Sequence, residues 1–492
     1  MTRLNYNFPF RIFQEKKEKI MGDFIKKSDC SQKKALPAAA SDTIAALCTA
    51  PGGALSILRI SGPDALPVAE KVWFSSSGKA LSKKENIRKM LLGKALDPAV
   101  GEPCLAVFMK GPASYTGEDT VELQCHGGSI APGLLLKAVL HAGARMAEGG
   151  EFTLRAFING KMDLTQAEAV ADLIHAKSAS SALLAEKQLS GLLGKKLSLL
   201  RKDLLVVLSE VESRMDFPEE ELDWTPEDVL LEKLSGTGAE LERMLATRVR
   251  GQILREGVKV VLAGRPNSGK SSLLNALLGY ERAIVTSIEG TTRDTLEELT
   301  SFGGIPVRLT DTAGLRQETD DEIEKIGMAR SMDSIQEAEV IFWLADRSDA
   351  ESCRDPFGGR EFPENAQVIL CWNKCDLPPA APLFVPPEHI ASISLSAKEG
   401  SGVESLVELF QARVLDGREF ASSECEISSR HGEYLERSLP LLDCAAEEIR
   451  GENWELAASC IRHVLSDLGS ITGETASPDV LEEIFSRFCI GK

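Results

Sequence analysis

No stretch of this chain is apolar for long enough to cross a bilayer. The longest apolar runs, LLVVL at 204–208 and VKVVLAG at 258–264, fall far short of the ~20 residues that a spanning helix needs, so no membrane association is expected. The basic first forty residues lack an apolar core followed by a small-residue cleavage site, which argues against a secretory signal. A cytoplasmic location is expected; the alternative is a mitochondrial one, if that stretch is a transit peptide, although its acidic residues speak against this. Eleven cysteines include no CxxC pair, so neither a zinc site nor a disulfide framework is written here. Excess positive charge is missing too. A net charge of −18 opposes non-specific binding to nucleic acid, and an RNA partner must therefore be held by a local patch or with help.

What is present is enough for several hydrophobic cores. At 492 residues, with 43% hydrophobic and 26% charged residues, the chain has the balance of a globular protein of two to four domains. Residues 42–161 mix short β-type runs (LSILRI, CLAVFM, TVELQC) with glycine-rich turns, which predicts a compact α/β domain. From 162 to 250 apolar residues recur at three- and four-residue spacing, interrupted by DFPEEELDWTPED, which predicts helices in a bundle. Between 251 and 420 strands and helices alternate, the pattern of a parallel sheet. Helical periodicity returns over 421–492. The expected fold class is thus α/β plus all-α, with the 251–420 unit inserted into a helical domain made of two segments, and residues 1–41 standing as an extension.

The strongest chemical signal is VKVVLAGRPNSGKSSLLNALLG. Gly264 to Ser271 fit GxxxxGKS between a β-branched run and an apolar-periodic helix. Glycines let backbone amides close around phosphate oxygens, aided by the positive helix N-terminus. Lys270 is expected to reach the β- and γ-phosphates and Ser271 to bind Mg²⁺, with Asn267, Ser268, Gly269 and Ser272 completing the loop. Downstream, in order, come Thr286, Ser287, Ile288, Glu289, Gly290, Thr291 and Thr292 of TSIEGTT, then Asp311, Thr312, Ala313 and Gly314 of DTAG. Asn373, Lys374 and Asp376 of NKCD follow, with Ser396, Ala397 and Lys398 of SAK. Thr292 is a candidate to close on the γ-phosphate and Mg²⁺. A carboxylate at Asp376 can accept from the ring N–H and exocyclic amine of guanine, a donor pair adenine lacks, so the series predicts GTP rather than ATP. Leu315 stands where many small GTPases carry a water-orienting glutamine, and the acidic run RQETDDEIEK holds the candidates to replace it.

Together with these motifs, DTIAALCTAPGG, LRISG, YTGEDTVELQCHGG, GEFTLRAFINGKMDLTQAEAVADLI, DFPEEELD and the closing FCIGK resemble the MnmE (TrmE) family of tRNA-modification GTPases over about residues 42–492. The resemblance implies a folate-binding N-terminal domain, a discontinuous helical domain and an inserted Ras-like G domain. It also implies a homodimer working with an MnmG-type FAD protein on tRNA, as a heterotetramer or larger complex. Together these would add an aminomethyl or carboxymethylaminomethyl group at C5 of the wobble uridine, position 34. By the same resemblance Asn267, Thr286, Ile288 and Thr291 would ligate K⁺, and Glu324 would orient the hydrolytic water, with Glu322 as the alternative. Arg59, Glu122, Lys161 and Lys492 would bind a tetrahydrofolate derivative of 5,10-methylene or 5-formyl type. Cys489 is a catalytic candidate in the tail. A ribosome-assembly GTPase would instead need a KH-like GXXG loop or a basic patch, and neither is written. In the tail, the apolar residues at 480, 481, 484, 485 and 488 predict a helix that docks the chain end against another element; the resemblance implies that it delivers Cys489 and Lys492 to the folate pocket of the N-terminal domain.

Overall fold

A computed structural model of the protein describes residues 42–128, 130–217, 224–280, 297–311, 334–360, 362–363, 366–415 and 426–491. These form two compact units, 42–159 with 478–491, and 160–477. No described helix is long and apolar enough to cross a membrane.

The first unit is a seven-stranded sheet. Its elements are β1 (Ile44–Leu47), β2 (Leu55–Ser61), α1 (Ala65–Val72), β3 (Trp73–Ser75), β4 (Leu91–Ala95), β5 (Glu102–Met109), β6 (Thr120–His126), α2 (Ala131–His141), β7 (Arg145–Met146) and α3 (Glu151–Ile158). The spatial order is β3-β4-β5-β6-β2-β1-β7, antiparallel except at β1–β7. Period-two alternation sends Leu58, Ile60, Val121 and Leu123 into a core shared with Val68 and Val139 of α1 and α2. It leaves Arg59 and Glu122 on the opposite face.

In the second unit the stretch after Asp163 breaks into α4 (Leu164–His175), α5 (Ala179–Leu189) and α6 (Leu192–Asp216), followed by α7 (Glu227–Leu245) and α8 (Arg248–Glu256). The breaks have local causes. Asp163 with Gln166, and Ser178 with Ser181, form capping boxes, and Gly191 starts α6 in the left-handed region at φ 78°. The α/β portion then runs β8 (Val258–Gly264), α9 (Lys270–Tyr280), β9 (Glu297–Phe302), β10 (Ile305–Asp311), β11 (Val340–Asp346), α10 (Ala350–Arg354), β12 (Gln367–Asn373), β13 (Ala391–Ser394) and α11 (Val403–Val414). Its sheet order is β13-β12-β11-β8-β10-β9, parallel except for the β9–β10 hairpin. Both faces are covered, one by a core containing Phe302, Phe342 and Phe410 and the other by one containing Ile341, Trp343 and Leu370, which is why β8 and β11 read as continuous apolar runs.

The chain returns as α12 (Ser429–Arg450) and α13 (Trp454–Thr472), which share a separate core with α6 and α7 around Leu204, Val211, Leu234, Leu442, Ile461 and Val464. Of the expected second helical segment, 421–492, these two helices join the bundle. The last helix, α14 (Pro478–Ser486), belongs with the first unit, where Leu481, Ile484, Phe485 and Phe488 are buried and Phe485 lies 6.5 Å from Phe157. An apolar stripe specifies that a helix docks, not which core receives it.

Candidate functional site

Strand β8 runs between β10 and β11 and delivers the phosphate loop at its carboxyl end, the usual ligand position in a parallel sheet. Two of the loop's glycines are required by space as well as by backbone. A Cβ on Gly264 (φ 146°) would sit 2.2 Å from the Leu344 carbonyl oxygen, and one on Gly269 (φ 94°) 2.2 Å from Asn373 Nδ2. Asn267 holds a left-handed φ of 58°, which asparagine tolerates better than most residues. Lys270 opens α9 and folds back over the loop, its Nζ donating to the carbonyls of Gly264 (3.0 Å) and Arg265 (2.9 Å). Ser271 and Ser272 are exposed beside it.

Asn373 is the hub of the site. It ends β12, is 3% exposed, and ties three loops that are distant in sequence. Nδ2 donates to the Ser268 carbonyl at 2.7 Å, while Oδ1 accepts from the backbone amides of Lys374 (2.8 Å) and Ala397 (2.9 Å). Lys374 is paired with Asp346 at the end of β11, and the β11–β12 register sets Asp346 directly beside Asn373. Burial works to raise the Asp346 carboxyl, but hydrogen bonds from Lys374 and Ser348 outweigh it and hold the group below the usual carboxylate range. Asp376 stands exposed at the mouth, and a hydrogen bond from Ser396 holds it ionised at lower pH than an ordinary aspartate. Ser396 and Ala397 are buried behind it and Lys398 is exposed.

The fold thus brings together the phosphate-loop, NKCD and SAK residues read from the sequence. Asp346 was not among them, although a carboxylate at the end of a buried strand, FWLAD, is the signal that marks it. Thr286, Ser287, Ile288, Glu289, Gly290, Thr291, Thr292, Thr312, Ala313, Gly314, Glu322 and Glu324 lie outside the described residues, as does Lys492; of Asp311 only the backbone, closing β10, is described.

The site suits a phosphate-bound Mg²⁺. Ser268 Oγ is buried and has no hydrogen-bond partner, the two glycines form a cradle that any side chain would fill, and the donors near Ser271 are hydroxyl and backbone groups. Among the described residues no cluster of three His, Cys, Asp or Glu could hold a metal instead.

In the first unit, the β2–β6 register sets Arg59 opposite Glu122, and Arg59 Nε donates to Glu122 Oε1 at 2.9 Å. The guanidinium lies 5.1 Å from the Tyr115 ring centroid and 5.5 Å from that of Phe152. A carboxylate and a guanidinium among aromatic faces suit a pterin, which offers both donor edges and a π-face. Lys161 is exposed just before α4 and belongs to the second unit. The tail packs on the first unit. Ile490 bridges Gly149, Gly491 (φ 98°) approaches so closely that a Cβ there would sit 2.1 Å from the Leu47 carbonyl oxygen, and Cys489 is exposed.

Residues 43–161 match the family model described as the GTP-binding protein TrmE N-terminus, and residues 164–489 that of the MnmE helical domain. The chain is 42% identical over 458 residues to the tRNA modification GTPase MnmE of Symbiobacterium thermophilum, covering 92% of this chain and 99% of that relative. It is 40% identical over 458 residues to the protein of the same name from Clostridioides difficile, with the same shares covered.

Proposed function

The chain belongs to the MnmE family of tRNA modification GTPases and is a GTP hydrolase involved in tRNA modification; from that premise we propose that it is a K⁺-stimulated homodimer acting with an MnmG-type FAD protein. The product is an aminomethyl or carboxymethylaminomethyl group at C5 of the wobble uridine of certain tRNAs. The one observation that carries the nucleotide reading is the three-way tie made by Asn373, which sets a guanine-reading loop against a phosphate loop.

In this reading the phosphate-loop amides and Lys270 cradle the β- and γ-phosphates, and Lys270 exchanges its present carbonyl partners for phosphate oxygens. Asp376, already ionised, accepts from the guanine N1–H and exocyclic amine. Lys374 is kept in place by Asp346, and the backbone amide of Ala397 is fixed by Asn373. Ser271 with Thr292 would hold Mg²⁺, and Asn267 with Thr286, Ile288 and Thr291 would hold K⁺; when bound, these cations supply positive charge against the developing negative charge on the phosphate oxygens. Glu324 orients the attacking water. Arg59, Glu122, Lys161 and Lys492 would hold a tetrahydrofolate derivative, which supplies the one-carbon unit. Cys489 lies on the same tail as Lys492 and is the nucleophile candidate for the transfer.

Nucleoside mass analysis of tRNA from a deletion strain tests product and pathway together. Loss of the C5 modification, restored by the wild-type chain, is expected; wobble uridines that remain fully modified would overturn the reading. Turnover in K⁺ against Na⁺ tests the cation, and equal rates would remove it.

A further inference from the structure

The α/β portion joins the helical bundle through two crossings, α8 on the way out and residues 426–428 on the way back. They run against each other. A Cβ on Gly251 of α8 would sit 2.4 Å from the Ile427 carbonyl oxygen, and the Ile427 amide donates to Thr247 Oγ1 at 3.3 Å.

One guanidinium spans the junction. Arg255, near the end of α8 and 13% exposed, donates from Nε to Asp172 Oδ2 of α4 at 2.9 Å and from Nη1 to the Ile427 carbonyl at 2.9 Å. Its Nη2 donates to Gln188 Oε1 of α5 at 2.6 Å and to the Glu426 carbonyl at 3.2 Å. Gln188 is itself buried and donates back to the Thr165 carbonyl of α4 at 2.9 Å.

The returning crossing is anchored one helical turn away on the same face of α4. Glu168 receives Arg430 through two bonds, at 2.7 and 3.0 Å, and His431 Nε2 at 2.8 Å. Adjacent carboxylates of one helix therefore grip both crossings. Three residues beyond Arg255 begins β8, which ends on the phosphate loop. Helix α5 also reaches the sheet elsewhere: a Cβ on Gly304, in the β9–β10 turn, would sit 2.5 Å from Ser180 Oγ, and β10 ends at Asp311 of DTAG.

We infer that Arg255 is a positioning residue for the tRNA step: it carries the nucleotide-dependent movement of β8 and the phosphate loop into α4 and α5 without touching nucleotide. A guanidinium with four acceptors on three segments has little freedom to re-pair, so α8 cannot shift without moving the faces of α4 and α5 that it holds. This rests on the proposed function, with the added premise that GTP turnover drives a conformational cycle on which the tRNA step depends.

The test uses the full-length chain as wild type and as Arg255→Gln, Arg255→Lys and Asp172→Asn. Hydrogen exchange over residues 164–189 is compared with GDP and with a non-hydrolysable GTP analogue, GTP kcat and KM are measured, and tRNA modification is scored with the complete modification system or by complementation. Arg255→Gln is expected to keep KM and kcat for GTP within about threefold. Its nucleotide-dependent difference in exchange over 164–189 collapses, and modification per GTP hydrolysed falls about tenfold. Arg255→Lys, which retains a charge for Asp172 but not the fork, recovers part of it. Combining Asp172→Asn with Arg255→Gln adds little to the single change. Hydrolysis and modification falling in proportion, or an undiminished exchange difference in Arg255→Gln, would overturn the inference, as would a wild type with no such difference. If Arg255→Gln fails to fold, Asp172→Asn alone carries the same expectations. A wild type that modifies no tRNA would sink the functional reading and the link to the tRNA step, whereas the exchange arm, which needs no tRNA, would still decide whether Arg255 carries the nucleotide-dependent movement into α4 and α5.

Discussion

Asn373→Ala removes the tie between the phosphate loop and the base-reading loops, and the structure sets the size of the effect. Three hydrogen bonds disappear, leaving the Ser268 carbonyl and the amides of Lys374 and Ala397 without a partner. The side chain is 3% exposed, so water reaches the vacated groups poorly. At about 1 kcal/mol for each orphaned group, the loss is about 3 kcal/mol, or about 150-fold in an equilibrium constant. Most of it falls on the arrangement that binds nucleotide, because the three partner groups are backbone atoms of the phosphate, NKCD and SAK loops. GDP affinity, measured with a fluorescent analogue, is therefore expected to weaken by about two orders of magnitude, while the denaturant midpoint of the helical core changes little. Arg255→Gln is the matched control, since it leaves these loops intact. An Asn373→Ala protein that binds GDP within about threefold of wild type would refute the argument that these bonds preorganise the site.

Asp376→Ala is expected to collapse the preference for GTP over ATP while phosphate binding persists, and competition binding of the two nucleotides checks it. Gly269→Ala forces a Cβ to 2.2 Å from Asn373 Nδ2 at φ 94°; at about 1–3 kcal/mol of backbone strain, GDP binding falls at least about tenfold, and unchanged affinity would show that the loop has room. Burial works to raise the Glu168 carboxyl, but His431 and Arg430 outweigh it and hold the group far below the usual range. The stability it contributes is therefore present above the unfolded value near 4.5 and is lost as pH falls below it. Glu168→Gln should cost about 3–5 kcal/mol at pH 7, with the gap in melting temperature narrowing below about pH 5; a gap independent of pH would argue against a charged Glu168. Cys489→Ser should leave GTP turnover intact while tRNA modification falls, and survival of both would make the cysteine structural.

The sequence was most legible where chemistry is contiguous. GRPNSGKSS places its glycines, lysine and hydroxyls within one turn of backbone, so spacing alone announces what the loop can bind, and NKCD and SAK are read the same way. The apolar periodicities separated sheet from bundle correctly because each element buries one face, or both in β8 and β11. Helix ends were less visible. The long apolar stretch after Asp163 splits into three helices at the capping box of Ser178 with Ser181 and at Gly191 in the left-handed region, signals that a three-and-four count passes over.

By itself, then, the sequence determined the residue chemistry of each short segment: a glycine-rich loop with phosphate-binding spacing, a carboxylate proposed to accept from guanine, a tail helix with one apolar stripe. Tertiary structure decided which segments meet. Strand order puts β12 close enough to β8 for Asn373 to hold Ser268; sheet register sets Arg59 against Glu122; packing sends α14 to the first unit and not to the bundle. The Arg255 junction gathers α4, α5 and residues 426–427, with partners as far as 172 positions along the chain from Arg255. Local spacing encodes what backbone and neighbouring side chains can do within a few residues, whereas contacts between remote segments arise only when cores close, because only then do burial and register choose one partner among many of equal chemistry.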